Sequence, residues 1–126
     1  MSNIPEGLRY TSHDEWVKVE DGVVTIGITH FAQDQLGDIV GIELPDVDDT
    51  FEAGASVAEL ESVKAVAEIY TPYAGTITEV NEDLEDEPEQ INETPYEAWL
   101  FRLKLDGDAD TGATLDAAAY AAKLSG

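Results

Sequence analysis

The chain contains no cysteine, which excludes a disulfide framework, a thiolate metal site and a thiol nucleophile. Any sulfur chemistry must be brought by a group from elsewhere. Basic residues are nearly as scarce, with 6 Lys and Arg against 28 Asp and Glu and a formal net charge of −22. Phosphate contacts need Lys and Arg, so nucleic acid and anionic membranes are unsuited as partners. No apolar run approaches the length of a membrane span. The opening MSNIPEGLRY lacks the basic and apolar regions of a signal peptide, so a cytoplasmic location is expected. The two histidines have no cysteine to pair with, and no carboxylate spacing picks out an acid–base pair. Catalysis by this chain alone is not expected.

What remains is enough to fold. The 126 residues are 43% apolar, the size of one domain (1–126) able to bury a core, and a monomer is expected. The acid recurs along the chain, as in PDVDDTFE and NEDLEDEPEQ. Such self-repulsion opposes folding in dilute buffer and fades when salt near 1 M shortens the Debye length to about 3 Å. This pattern suggests a salt-rich cytoplasm, as in halophiles. DGDADTGATLDA resembles a calcium loop, but Thr111 and Ala117 stand where Gly and Glu are needed.

EWVKVEDGVVTIGI alternates on both sides of Asp21-Gly22 and reads as a hairpin with a type I′ turn. In THFAQDQLGD, Thr29 can cap and Gly37 can end a short helix near 29–36. IVGIELP, GTITEV and WLFRLKL read as strands, NEDLEDEPEQINETPYE as a solvated excursion with room for one helical turn. A helix near 115–124, within 114–125, is expected to pack through Leu115, Ala119 and Ala122.

VAELESVKAVAEIY, residues 57–70, places one of only four lysines in a second hairpin. With Val63-Lys64 at the turn, Glu61 faces Val66, Leu60 faces Ala67, Glu59 faces Glu68 and Ala58 faces Ile69. Apolar residues then fall on one face and carboxylates on the other, and a slip of one residue would destroy the sorting. Val-Lys is poor turn chemistry beside Asp-Gly. Local rules broken without structural gain are often functional, so Lys64 at the tip is the candidate functional residue.

ESVKA, followed by IYTPYAGTITEVN, resembles the lipoyl-lysine site of the glycine cleavage system H proteins. DEWV, IGITHFAQDQLGDIV, IELPDV, INETPYEAW and the closing LDAAAY occur in that family's order. The chain departs from the usual pattern at Asp14, with His13 one place early, and at Asp48 and Ala98. The resemblance implies a mostly β fold: a lipoyl-domain-like hybrid barrel-sandwich of two small antiparallel sheets. It implies lipoic acid in amide linkage to Lys64, on an arm reaching roughly 14 Å. It also implies three partners: a pyridoxal-phosphate glycine decarboxylase, a tetrahydrofolate-dependent aminomethyltransferase and a flavin dihydrolipoyl dehydrogenase. A lipoylating enzyme is a fourth.

Glu15 and Glu68 are candidates for holding the aminomethyl-bearing arm against the protein's own surface. Glu61 and Gly75, three residues before and eleven after Lys64, are candidates for lipoylation recognition and hairpin geometry. No metal site is expected. Two other carriers share the hairpin. A biotin carrier would flank its lysine with methionine, and a lipoyl domain of a 2-oxoacid dehydrogenase would lack DEW and the terminal helix. An H-like protein that relays lipoyl groups without serving glycine cleavage has the same sequence signature.

Overall fold

A computed structural model describes residues 8–11, 14–71, 73–105 and 114–125. His13 and the acidic stretch 106–113, with its calcium-like spacing, lie outside the described residues. The elements are mostly strands in two antiparallel sheets, one of six strands and one of three.

The larger sheet begins with β1 (Arg9–Tyr10), β2 (Glu15–Glu20) and β3 (Val23–Ile28). At the β2–β3 turn, Asp21 and Gly22 have φ of 50° and 80°, the left-handed pair that a type I′ turn requires. Thr29 then caps α1 (His30–Leu36), its hydroxyl accepting from the Ala32 N–H at 3.2 Å. Gly37 ends that helix at φ 78°, with its N–H on the Gln33 carbonyl. Both ends match the caps read from sequence.

The smaller sheet takes β4 (Ile39–Glu43), β6 (Ser56–Ser62) and β7 (Val66–Tyr70), with β6 in the middle. The remaining strands, β5 (Thr50–Phe51), β8 (Gly75–Val80) and β9 (Phe101–Leu105), complete the larger sheet in the order β1-β2-β3-β9-β8-β5. Apolar residues from both sheets, among them Val24, Ile26, Leu60, Ile69, Ile77 and Leu103, share one buried cluster. Burying a side chain of this size stabilises by about 1.5–3 kcal/mol.

Two expectations need correction. The excursion between β8 and β9 holds two short helices, α2 (Asp83–Asp86) and α3 (Gln90–Glu93), rather than one solvated turn. Each carries a fully buried side chain, Leu84 and Ile91, that joins the main core. The last helix, α4 (Ala117–Ser125), does not pack through Ala119 and Ala122, which are exposed. It packs through Tyr120, whose ring stacks on Tyr10 at 4.8 Å and 8°. An aromatic ring buries far more area than an alanine methyl, so it decides which face turns inward.

Candidate functional site

The β6–β7 hairpin has the register expected from its sequence. Glu61 pairs with Val66, Leu60 with Ala67, Glu59 with Glu68 and Ala58 with Ile69. Ala58, Leu60 and Ile69 are buried, whereas Glu61 and Glu68 are exposed. The carboxylates continue across the sheet, because Glu43 of β4 faces Glu59, which faces Glu68. Three like charges thus stand in one row.

The turn at Val63-Lys64 is not a copy of Asp21-Gly22. Among the described residues, only Asp14, Asp21 and Asp48 and three glycines have positive φ, so neither central residue adopts the left-handed conformation of a type I′ turn. Ser62 supplies the closure instead. Its hydroxyl donates to the Ala65 carbonyl at 3.0 Å and accepts from the N–H of Lys64 at 3.2 Å and of Ala65 at 3.0 Å. A second tie comes from outside the hairpin: the Val63 N–H donates to the Asp38 carbonyl at 3.1 Å. Nothing in the sequence marked Ser62 for this work, because a side chain bonding its own turn leaves no periodic trace.

Lys64 is exposed, and its amine forms no ion pair among the described residues. The stem does not point straight away from the body. It lies back over Gly37, where an added methyl group would stand 3.0 Å from Cε, 3.8 Å from Cδ and 3.6 Å from Nζ. Val63 and Val66 beside it are 66% and 61% exposed, and Val40 on β4 is 52% exposed. These open apolar side chains sit at the lysine end of the smaller sheet.

Glu15 starts β2 and is 1% exposed. Its Oε1 accepts from the Thr11 hydroxyl at 2.9 Å and its Oε2 from the Tyr70 N–H at 2.5 Å. Burial pushes its carboxyl up to about 7, although both hydrogen bonds pull the other way. Glu68 is exposed and accepts from the Tyr70 phenol at 2.9 Å and the Ser56 hydroxyl at 3.3 Å. The phenol is itself held above its ordinary range by that carboxylate. Tyr70 therefore links the two candidate carboxylates, its N–H on one and its hydroxyl on the other. The sequence reading missed Tyr70 and Thr11. Neither carboxylate is paired with Lys64.

Glu61 lies on the outer face of the smaller sheet beside Gly41. Gly75 is not in the hairpin. It opens β8, buried against β9, where a Cβ would fall 2.2 Å from the Lys104 carbonyl oxygen and 2.5 Å from Leu103 Cδ2. The absence of a side chain there permits a close approach of two strands in the larger sheet.

The arrangement can present a primary amine, and it fits an amide-linked prosthetic group. The amine is exposed and in no ion pair among the described residues, the stem rests on bare backbone, and the chain has no thiol of its own. No cluster of metal-binding side chains occurs among the described residues, and none of their helices is long and apolar enough to cross a membrane.

Comparison with known proteins agrees with this geometry. The family described as "Glycine cleavage H-protein" matches residues 8–125. The glycine cleavage system H protein of Alcanivorax borkumensis is 50% identical over 125 residues, covering 98% of each chain. That of Alteromonas mediterranea is 51% identical over 122 residues, covering 95% of each. The crystal structure of a glycine cleavage system H protein from Mycobacterium marinum superimposes with a TM-score of 0.89 at 36% identity, covering 97% of this chain and 99% of that one.

Proposed function

The chain belongs to the glycine cleavage H-protein family, and from that premise we propose that Lys64 is the residue that carries its lipoyl group. The protein is a non-catalytic lipoyl carrier of the glycine cleavage system. When attached, the group supplies a disulfide that takes up an aminomethyl unit with two electrons and later releases both.

The observation that carries the reading is the Lys64 amine itself: exposed, free of any ion pair among the described residues, and at the tip of a hairpin in a chain crowded with carboxylates. A tip position lets a tethered group enter one deep active site after another, and tethering raises its effective concentration. The partners on this reading are the glycine decarboxylase, the aminomethyltransferase and the dihydrolipoyl dehydrogenase, with a lipoylating enzyme that acts first.

The other residues take graded roles. Glu61 faces outward one strand position from the turn, where a lipoylating enzyme approaching Lys64 meets it. Gly75 acts at a distance by letting β8 close on β9. Glu68 is accessible to a cation carried on the arm, whereas Glu15 has both oxygens engaged and must exchange a partner to receive one.

Intact mass of the protein from its native cells tests the assignment. The lipoyl increment should be present, with one unit more negative charge because an amine has become an amide. The increment should vanish in Lys64→Arg. Native material that never carries it, or a Lys64→Arg variant that still does, would overturn the reading.

A further inference from the structure

The lysine hairpin does not stand alone. Its tip is tied to the segment that joins α1 to β4, through the Val63 N–H on the Asp38 carbonyl and the Lys64 stem on Gly37. Besides the burial of Ile39 in the core and the Gly37 N–H on the Gln33 carbonyl, one side chain from the far side of the sequence ties that segment down. Asn92 in α3 accepts from the Ile39 N–H at 2.8 Å with Oδ1. Its Nδ2 donates to the Gly37 carbonyl at 2.7 Å and to Gln33 Oε1 at 3.1 Å. One amide thus fixes the backbone on both sides of Asp38 and the last turn of α1.

The chemistry is specific to an amide. Asp38 lies between a helix that has ended and a strand that has not begun, so no regular partner serves the Gly37 carbonyl and the Ile39 N–H. An acceptor and a donor on one planar group satisfy both. A carboxylate would place negative charge against the Gly37 carbonyl, and an alanine would leave both groups unpaired. Among the described residues Asn92 has no hydrogen bond to Lys64, and both meet at Gly37, so the 37–39 segment is the link between them.

We infer that Asn92 is a positioning residue for the Lys64 amine, holding the 37–39 segment as a shelf on which the modifiable lysine is presented. The inference rests on Lys64 as the lipoyl site. In the step it serves, the neutral amine attacks the carbonyl carbon of an activated lipoyl acyl donor. The N–C bond forms, the bond from that carbon to the donor's leaving group breaks, and one proton leaves the nitrogen. The electrons stay paired throughout, and only the donor, which the lipoylating enzyme brings, is consumed. Misplacing a reacting atom by about 1 Å can cost on the order of a hundredfold in rate.

The test compares Asn92→Ala with Asn81→Ala in the full chain. Asn81 also joins two segments with one amide, donating to the Trp99 carbonyl at 2.9 Å, and among the described residues it has no hydrogen bond to the hairpin or to the 37–39 segment. It reports the cost of losing a half-buried amide without removing a tie to the shelf. Both variants are checked for folding by near-UV circular dichroism. The lysines are then labelled by reductive 13C-methylation, with the Lys64 signal assigned by its loss in Lys64→Arg. The Lys64 signal should shift in Asn92→Ala and stay in place in Asn81→Ala.

With a lipoate–protein ligase in limiting amount, the rate of lipoyl addition by intact mass should fall about tenfold or more in Asn92→Ala. It should fall less than twofold in Asn81→Ala. An unmoved Lys64 signal, or a rate lost equally in both variants, would overturn the inference. If Asn92→Ala does not fold, Asn92→Asp keeps the Ile39 acceptor and is read in the same way. A wild-type chain that accepts no lipoyl group would sink the Lys64 assignment, whereas the methyl signals would still decide whether Asn92 sets the amine.

Discussion

The two hairpins of this chain close by opposite means. The β2–β3 turn relies on its own residues, because Asp21 and Gly22 take up the left-handed backbone that strand twist demands. The β6–β7 turn has Val63 and Lys64 at its centre, and it is closed by Ser62, by the Asp38 carbonyl and, behind that, by Asn92. A turn freed from satisfying its own backbone can carry a residue chosen for chemistry. It becomes sensitive in exchange to positions far from its tip.

The hairpins meet at Glu15, the first residue of β2, which accepts from the N–H of Tyr70, the last of β7. The largest effect we expect is there. The folded protein holds the Glu15 proton up to about pH 7, whereas the unfolded chain releases it near 4.5. Between these values the folded state binds more protons at Glu15, so this group's contribution to stability is full below about 4.5, declines as pH rises and is lost above about 7. The span corresponds to roughly 3 kcal/mol. Thermal midpoints measured from pH 4 to 8 in high KCl, where surface repulsion is screened, should show that slope, and Glu15→Gln should flatten it. An unchanged slope in Glu15→Gln would mean that the seam is held by other groups.

Removing the closure of the second turn comes next. Ser62→Ala deletes three hydrogen bonds at the tip and should cost about 2 kcal/mol in urea unfolding, together with slower lipoylation of Lys64. The matching change in the first turn, Gly22→Ala, places a side chain at φ 80° with nothing within 4 Å to collide with. It should cost only about 1 kcal/mol, the strain of the left-handed backbone, and leave lipoylation untouched. If Gly22→Ala slowed lipoylation as much as Ser62→Ala, the two turns would not be independent.

The smallest effect separates the sheets by charge. The row Glu43–Glu59–Glu68 crosses the smaller sheet, whereas β2 pairs Lys18 with Glu20 at 3.2 Å and the larger sheet pairs Arg102 with Glu79 at 2.6 Å. Like charges directly opposite on a sheet destabilise by up to about 1 kcal/mol. Glu59→Gln should raise stability by about 0.5 kcal/mol in millimolar KCl and by nothing measurable near 1 M. Hydrogen exchange at low salt should open β6 and β7 before β2 and β3.

The hairpin register and the caps of α1 were legible in the sequence because both rest on local pattern. Alternation sorts Leu60 from Glu61, and Thr29 and Gly37 stand at fixed offsets from an apolar face. Leu84 and Ile91 escaped notice because single apolar residues inside NEDLEDEPEQINE are outvoted by charge, although each is fully buried. Tyr120 escaped because a run of alanines fits several helical faces equally, and the ring chose among them through Tyr10, which lies more than a hundred residues away. The Asn92 contacts join residues more than fifty positions apart, a separation no window along the chain can span. Gly75 was legible as the start of the strand GTITEV, whereas its approach to the Lys104 carbonyl joins positions too far apart for a local pattern to show.

The acidic stretch from α2 to α3 invites removal by anyone seeking a minimal lipoyl scaffold, because β8 and β9 pair without it. Trimming it would take away Asn92, whose amide fastens the ledge beneath the lysine. A transplanted hairpin would keep its recognisable pentapeptide and lose the aim of its nitrogen. The portable unit is therefore the tip together with its distant buttress, and grafts that carry only the tip should be modified sluggishly however well they fold.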